Sequence, residues 1–153
     1  MISPADYAQL HARTRAQPGR KPKLYRLRVC PSEEAEQCQV ITWALLHDGQ
    51  YPDLKLLYAS ANGGLRHIAV ARKLKASGVK PGVPDLHLPV ARGGYHGLWI
   101  EMKAMDGTVS DEQHAWIDAL LAEGACVCVS FGAAAAIAML TNYLRLPKTV
   151  VKK

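Results

Sequence analysis

Short apolar runs alternate with helix-forming segments from residue 32 onward, and this alternation limits the folds open to the chain. Side chains alternate between two faces along Leu98–Lys103, and residues 125–131 form a continuous apolar run typical of a buried strand. The predicted element order is α, β, α, β, β, α, β, α. With 153 residues, 49% of them apolar, the chain is predicted to form one compact α/β domain.

Capping residues and chain breakers predict the element boundaries. Ser32 is a plausible N-cap for a first helix that ends near His47. Ser110 and Gln113 match the capping-box pattern, which predicts a helix ending at residue 122 or 123. The other expected elements are a strand at 54–59, a helix at 65–77 that ends at Gly78, a hairpin of strands at 85–90 and 98–103, a strand at 125–131 and a helix at 133–144.

Positive charge is concentrated near the N-terminus. The formal net charge is +6, which favours a polyanionic partner. Against a single Asp6, the first 28 residues carry Arg13, Arg15, Arg20, Lys21, Lys23, Arg26 and Arg28. This segment is either a solvated arm or an arm that contacts phosphates. We therefore divide the chain into a basic, proline-containing arm (1–31), a core domain (32–146) and a basic C-terminal tail (147–153).

Several function classes are not expected. The apolar runs are shorter than the roughly 20 residues that span a bilayer, and the N-terminus lacks a secretory pattern. We therefore expect no membrane partner and a cytoplasmic location. The cysteines lack C-x-x-C spacing and are predicted to be reduced core residues rather than zinc ligands; they are Cys30, Cys38, Cys126 and Cys128.

Acidic and basic side chains come together in the predicted hairpin. Trp99, Glu101 and Lys103 share one face of their strand, and Asp85 begins the adjoining strand. A pair of carboxylates in a basic surface suits Mg²⁺ or Mn²⁺ together with waters and a substrate phosphate. On spacing alone, a turn aspartate and solvated strand charges explain the pattern as well. His87 shares the face of Asp85 if the strand is regular, so it either lines the cleft or serves the fold.

Ordered motifs make the chain resemble a known nuclease family. Pro84-Asp85, fifteen intervening residues and Glu101-Met102-Lys103 resemble the PD-(D/E)XK signature. The neighbouring motifs are similar to those of the stand-alone VRR-NUC domain family of bacteria and phages, over about residues 32–144. These motifs are Asn62-Gly63-Gly64, Gly78-Val79-Lys80-Pro81-Gly82-Val83-Pro84-Asp85, Gly97-Leu98-Trp99-Ile100-Glu101-Met102-Lys103 and Ser110-Asp111-Glu112-Gln113.

The resemblance implies a fold and a set of site residues. The fold is a restriction-endonuclease-like core, a mixed central β-sheet flanked by α-helices, with Mg²⁺ or Mn²⁺ as cofactor. Asp85 and Glu101 are then metal ligands and Lys103 is the catalytic lysine, which orients or deprotonates water or stabilises the phosphate. The family also implies an acidic residue on the first helix followed four positions later by Gln or Glu, which Glu33 and Gln37 match.

The first-helix assignment stays open, because Glu36 is a rival to Glu33 as the site carboxylate and metal ligand. Glu33 lies in the first helical turn, where the helix dipole by itself explains an acidic residue. Gln113 is expected near the active site, although the capping box explains it equally well. Further candidates for nucleic-acid contacts are Asn62, Arg66, Lys75 and Lys80.

The leading functional prediction is a metal-dependent endonuclease that hydrolyses DNA. Its substrates are expected to include flaps or four-way junctions, in repair, recombination or phage replication within a bacterial cell or a phage-infected host. A homodimer would pair two active sites across such a junction. The alternatives are a catalytically silent nucleic-acid-binding module and a subunit that needs a partner for activity.

Overall fold

The computed structural model describes residues 31–60 and 74–150. Within this part of the chain, a four-stranded sheet in the order β1–β2–β3–β4 is flanked by helices. Strands β1 to β3 are antiparallel neighbours and β4 runs parallel to β3, so the expected mixed α/β architecture is confirmed. In chain order the elements are α1 (Glu33–His47), β1 (Tyr58–Ala59), β2 (Leu86–Leu88), β3 (Leu98–Lys103), α2 (Asp111–Ala122), β4 (Cys126–Phe131) and α3 (Ala133–Leu144).

Local capping sets the helix starts. The Ser32 hydroxyl accepts a hydrogen bond from the backbone N–H of Ala35 at 3.2 Å, and α1 begins at Glu33, directly after this cap. At α2, Ser110 and Gln113 form the predicted capping box. Both helices therefore begin where the sequence predicted, because the signal lies within a few residues of each end.

The sheet has two apolar faces of different size. Alternate residues of β3 (Leu98, Ile100 and Met102) are fully buried in the larger core, which also contains residues of α1 and α3. The opposite face, which we call the α2 face, packs Trp99 against a smaller core centred on Ile117. Strand alternation places Glu101 and Lys103 on the α2 face with Trp99.

The strand predicted at 54–59 is largely wrong. A 3-10 helix spans Pro52–Leu56, and the strand is limited to Tyr58–Ala59. Pro52 at the start of the turn has a fixed φ that suits a helical turn, and Leu54 turns into the core while Leu56 is exposed. The apolar content of this segment thus reflects one buried turn rather than a longer strand.

Two other predicted elements differ in extent or lie partly outside the described residues. The strand predicted at 85–90 covers Leu86–Leu88, because Pro89 has no N–H and the N–H of Val90 bonds to the Leu88 carbonyl at 2.8 Å. Of the helix predicted at 65–77, residues 65–73 lie outside the described part. Residues 74–76 are helical, and Gly78 follows them with φ of 93°, as expected for a C-terminal cap.

The C-terminal segment packs on the β2–β3 hairpin. The N–H of Gly93 donates to the Pro147 carbonyl at 2.8 Å, and the N–H of Thr149 donates to the Ala91 carbonyl at 3.2 Å. The start of the segment predicted as a tail is thus hydrogen-bonded to the domain.

Almost all of the predicted N-terminal arm, residues 1–30, lies outside the described part. Neither described range contains a helix long and apolar enough to cross a membrane.

Three described cysteines are free thiols. Cys126 and Cys128 pack against the larger core, and burial raises their pKa values to about 11 and about 12, so both are protonated at neutral pH. Cys38 is exposed on α1, which corrects its prediction as a core residue. Cys30 lies outside the described residues.

Candidate active site

Glu101 and Lys103 form an ion pair at the end of β3. The Lys103 Nζ lies 2.8 Å from Glu101 Oε1, and both side chains are buried. Strand alternation brings the two side chains to the same face two residues apart. The prediction that the two side chains project side by side is therefore confirmed by the geometry. They are buried, so they are not the solvated strand charges of the alternative interpretation.

One oxygen of Glu101 is left without a partner. Glu101 Oε1 accepts hydrogen bonds from Lys103 and from the Gln113 side-chain amide, whereas Oε2 is buried with no hydrogen bond among the described residues. Burial raises the pKa of Glu101 to about 7; Lys103 opposes this rise, and the negative charges of Asp85 and Glu33 add to it. A buried carboxylate with an open oxygen fits a cation ligand.

Lys103 is held in its charged form. Burial lowers its pKa, but the hydrogen bond to Glu101 and the charges of Glu101, Glu33 and Asp85 outweigh burial and leave the pKa raised. Lys103 is therefore an ammonium at neutral pH. Of the roles predicted for it, a fixed positive charge or a water-orienting donor suits this state better than a proton acceptor.

Backbone contacts hold Asp85 beside this pair. Asp85 Oδ2 accepts a hydrogen bond from the N–H of Met102 at 2.8 Å, and its carbonyl accepts from the N–H of Ser60 at 2.8 Å. The antiparallel pairing of Leu86 with Ile100 continues by one step to bring Asp85 opposite Glu101. The hairpin thus brings the two predicted metal-binding carboxylates together.

The loop before Asp85 is packed on the start of α2. Gly82 has φ of 81°, and a Cβ at this position would lie 2.6 Å from the backbone oxygen of Glu112. Nearby, the indole N–H of Trp116 donates to the Pro81 carbonyl at 3.0 Å. A side chain at residue 82 would force the loop away from α2, so glycine here allows the close approach that positions Asp85.

Gln113 performs both roles considered for it. Its Oε1 accepts the backbone N–H of Ser110 at 2.9 Å, which completes the capping box, and its Nε2 donates to Glu101 Oε1. The start of α2 is thereby joined directly to the buried carboxylate. Because Nε2 bonds to Oε1, it helps to orient the Glu101 carboxylate with Oε2 unpartnered.

The two rival carboxylates of α1 have different partners. Glu33 Oε1 lies 3.5 Å from Lys103 Nζ and accepts the N–H of Ala104 at 3.4 Å. Glu36 Oε2 instead accepts the N–H of Ala133 at 2.6 Å, at the start of α3. The structure therefore brings Glu33, and not Glu36, to Lys103. Glu36 caps α3, where a carboxylate is favoured by the helix dipole.

The chain was compared with known protein families, solved structures and curated proteins. The sequence model described as the VRR-NUC domain matches residues 24–134, most of the chain. The chain belongs to the VRR-NUC domain family. A solved structure described as a VRR_NUC domain protein is 31% identical, covers 77% of this chain and 92% of its own, and superposes with a TM-score of 0.65. No match was found among curated proteins.

Family membership confirms the resemblance drawn from the motifs and implies a nuclease-type function with DNA as the substrate. The match begins at residue 24, within the segment predicted as an arm. VRR-NUC nucleases are generally dependent on divalent metals, so the residues on the α2 face can be tested for their fit to such an ion.

The carboxylates of this VRR-NUC domain fit a hard divalent cation. No three His, Cys, Asp or Glu side chains in residues 31–60 and 74–150 form a cluster that could hold a metal by themselves. Mg²⁺, however, commonly takes one or two carboxylates and fills its other positions with waters and substrate phosphate. Asp85 and the unpartnered oxygen of Glu101 supply that donor set.

Three further predicted site residues of the VRR-NUC domain are among the described residues, and two are not. Gln37 is half-buried one turn after Glu33. Lys75 and Lys80 are exposed, and Lys80 Nζ lies 5.8 Å from the Trp116 ring centroid. Asn62 and Arg66 lie outside the described part of the chain.

An aromatic row on the α2 face was not predicted as a unit. The rings of His87 and Trp99 stack with centroids 3.8 Å apart, and Tyr58 meets His87 edge-on at 5.3 Å. Burial lowers the pKa of His87, which keeps its ring neutral at pH 7. The face of His87 was evident from strand alternation, but the cross-strand register that aligns the three rings was not.

Proposed function

We propose that this VRR-NUC domain is a Mg²⁺- or Mn²⁺-dependent endonuclease that hydrolyses phosphodiester bonds in DNA. The observation that carries the proposal is the buried, unpartnered oxygen of Glu101, beside Asp85 and within an ion pair to Lys103. A purely structural Glu–Lys pair gains nothing from a buried oxygen without a hydrogen bond, which costs free energy. A metal-binding role accounts for that cost.

Each side chain has a distinct role in this proposal. Asp85 and Glu101 would hold the metal, and Glu33 is the further candidate on α1 because it reaches the same lysine. When bound, the ion supplies charge neutralisation at the phosphate and an acidified water. Lys103 presents a fixed positive charge that stabilises the negative charge developing on the phosphoryl oxygens, or donates to the attacking water. Gln113 orients the carboxylate of Glu101.

The finer assignments rest on the resemblance and on charge. We propose selectivity for branched DNA such as flaps or four-way junctions, in repair, recombination or phage replication inside a bacterial cell. A homodimer would present two active sites to such a junction. The net charge of +6 supports binding to a polyanion, and the exposed Lys75 and Lys80 are proposed phosphate contacts together with Asn62 and Arg66.

Cleavage of a labelled panel tests the proposal. The panel contains single-stranded, duplex, flap, splayed-arm and four-way-junction DNA, each with Mg²⁺, Mn²⁺ or EDTA. We expect metal-dependent cutting by the wild type and a loss of about 100-fold or more in Asp85→Asn and Lys103→Ala. Asp118→Asn, an exposed aspartate on α2, is the matched control and should cut normally.

The possible outcomes separate the alternatives. Cutting that persists in Asp85→Asn, or in EDTA, would disprove the assigned site. Binding to the panel without cutting under any condition would instead indicate a silent binding module or a subunit that needs a partner. Thermal melting of each variant confirms that a lost activity does not reflect a lost fold.

A further inference from the structure

Tyr58, His87 and Trp99 form a continuous row of rings across three strands. The β-sheet register pairs Tyr58 with His87 and His87 with Trp99, so the three side chains share one face of the sheet. Trp99 packs on the smaller core at one end of the row, and Tyr58, 48% exposed, lies at the other. The row therefore leads from the core to an exposed aromatic ring.

The row lies next to the proposed active site. Trp99 precedes Glu101 by two residues on β3, a spacing of about 7 Å along a strand. On the neighbouring strand His87 follows Asp85 by the same interval, so the row of rings runs beside the carboxylate pair. A DNA strand whose phosphate lies at the carboxylates would have an adjacent nucleotide within reach of the rings.

Tyr58 is also held in one orientation. Its hydroxyl and His87 Nδ1 are hydrogen-bonded at 2.8 Å, and His87 is itself fixed by its stack on Trp99. A side chain ordered before binding loses little entropy when a ligand stacks on it. An aromatic ring that only closed the edge of the core would not need to be half-exposed and oriented in this way.

We propose that the Tyr58–His87–Trp99 row is a stacking site for an unpaired nucleobase next to the phosphate that is cut. Stacking on aromatic side chains tolerates any base, but bases inside a duplex already stack on their neighbours. The row therefore selects DNA with an unpaired nucleotide at the cleavage position over continuous duplex. The assignment rests on the proposed nuclease function and gives it a substrate preference.

Fluorescence of 2-aminopurine tests stacking without any need for cutting. The probe is a flap DNA with 2-aminopurine at the unpaired position beside the branch, bound to the Lys103→Ala protein in Mg²⁺. We expect its fluorescence to be quenched on binding. Added to Lys103→Ala, Tyr58→Ala should remove the quenching and weaken flap binding roughly tenfold, with little change for continuous duplex.

Two further variants separate stacking from a structural role. Tyr58→Phe keeps the ring and should retain most of the quenching, whereas Tyr58→Leu keeps apolar bulk without an aromatic face and should lose it. Leu56→Ala, at a side chain 53% exposed in the preceding 3-10 helix, is the control and should behave as Lys103→Ala alone. If Tyr58→Ala unfolds the domain, Tyr58→Leu decides the question.

The outcomes for stacking and for nuclease activity are distinguishable. Quenching that persists in Tyr58→Leu, no quenching in Lys103→Ala alone, or an equal loss of flap and duplex binding would each overturn the stacking site. If the unsubstituted chain cuts DNA but Lys103→Ala shows no quenching, the nuclease stands and the stacking site fails. If Lys103→Ala shows ring-dependent quenching but the unsubstituted chain never cuts, stacking stands and the nuclease fails.

Discussion

At the scale of single residues, Glu101 shows how burial raises the proton affinity of a carboxyl group. Its carboxyl group is fully buried, one oxygen is hydrogen-bonded to Lys103 and Gln113, and the other has no partner in the described residues. Removing a carboxylate from water costs free energy unless each oxygen accepts a hydrogen bond or contacts a cation. In the absence of metal, the domain lowers that cost by taking up a proton, which is the physical meaning of the raised pKa.

We expect the metal-free domain to lose stability between pH 5.5 and pH 8. The folded-state pKa of Glu101 is about 7, above its usual value of 4.5, so the folded state binds this proton more tightly than the unfolded state. The stabilisation is present at low pH and is lost as the pH rises through 7. The loss should be on the order of 2 kcal/mol, measured by denaturant unfolding in EDTA.

Glu101→Gln is the control for this pH dependence, because the amide does not titrate. The acids that face Glu101 are Asp85 and Glu33, whereas Lys103 stays protonated over this range. The variant should therefore show a flatter stability profile. An unchanged profile in Glu101→Gln would assign the pH dependence to another group. Mg²⁺ should stabilise the wild type more at pH 8 than at pH 5.5, because the ion competes with the proton.

At the scale of elements, helix α2 begins at the active site. The Gln113 side chain closes the capping box through one atom and holds Glu101 through another. The loop before Asp85 packs on the same end of the helix through Gly82. The start of α2 therefore positions both Asp85 and Glu101. Substitutions can separate the contribution of Gln113 to helix stability from its contribution to the active site.

Ser110→Ala and Gln113→Ala should destabilise the domain similarly but differ in activity. Each removes part of the capping box, and a lost N-cap interaction costs about 1 kcal/mol. Only Gln113→Ala also removes the hydrogen bond to Glu101. We expect it to lower the DNA cleavage rate roughly tenfold more than Ser110→Ala does, measured with saturating Mg²⁺. Equal rates in the two variants would mean that Gln113 serves the helix alone.

At the scale of the whole molecule, Arg92 joins segments that are far apart in sequence. It follows β2, and its guanidinium forms an ion pair with Asp53 in the 3-10 helix and donates to the Leu146 carbonyl after α3 at 3.4 Å. The Arg92 side chain is 12% exposed. One side chain therefore connects the hairpin, the segment before β1 and the C-terminal segment.

Arg92→Met should destabilise the domain by about 2 kcal/mol, because Asp53 is left partly buried without its cation. Chemical denaturation monitored by tryptophan fluorescence measures the change. Arg145→Met is the matched control on an exposed arginine and should be close to neutral. The double variant Asp53→Asn/Arg92→Met should recover part of the loss; strictly additive effects would show that the two side chains do not interact.

The sequence by itself determined what depends on near neighbours. The caps at Ser32 and Ser110 set the starts of α1 and α2 within a few residues. The period of two in β3 placed Glu101 and Lys103 on one face, and the ordered motifs indicated the VRR-NUC family. These signals survive folding because they act over a single turn or a few strand residues.

Only the tertiary structure decided what depends on contacts between distant segments. Glu33 and Glu36 are equivalent first-turn acids in the sequence. The packing of α1 against β3 and α3 places Glu33 beside Lys103 and Glu36 at the start of α3. The register between strands aligned Tyr58 with His87 and Trp99. Residues 54–56 lie in a 3-10 helix rather than a strand because the burial of Leu54 and the proline before it outweighed strand propensity.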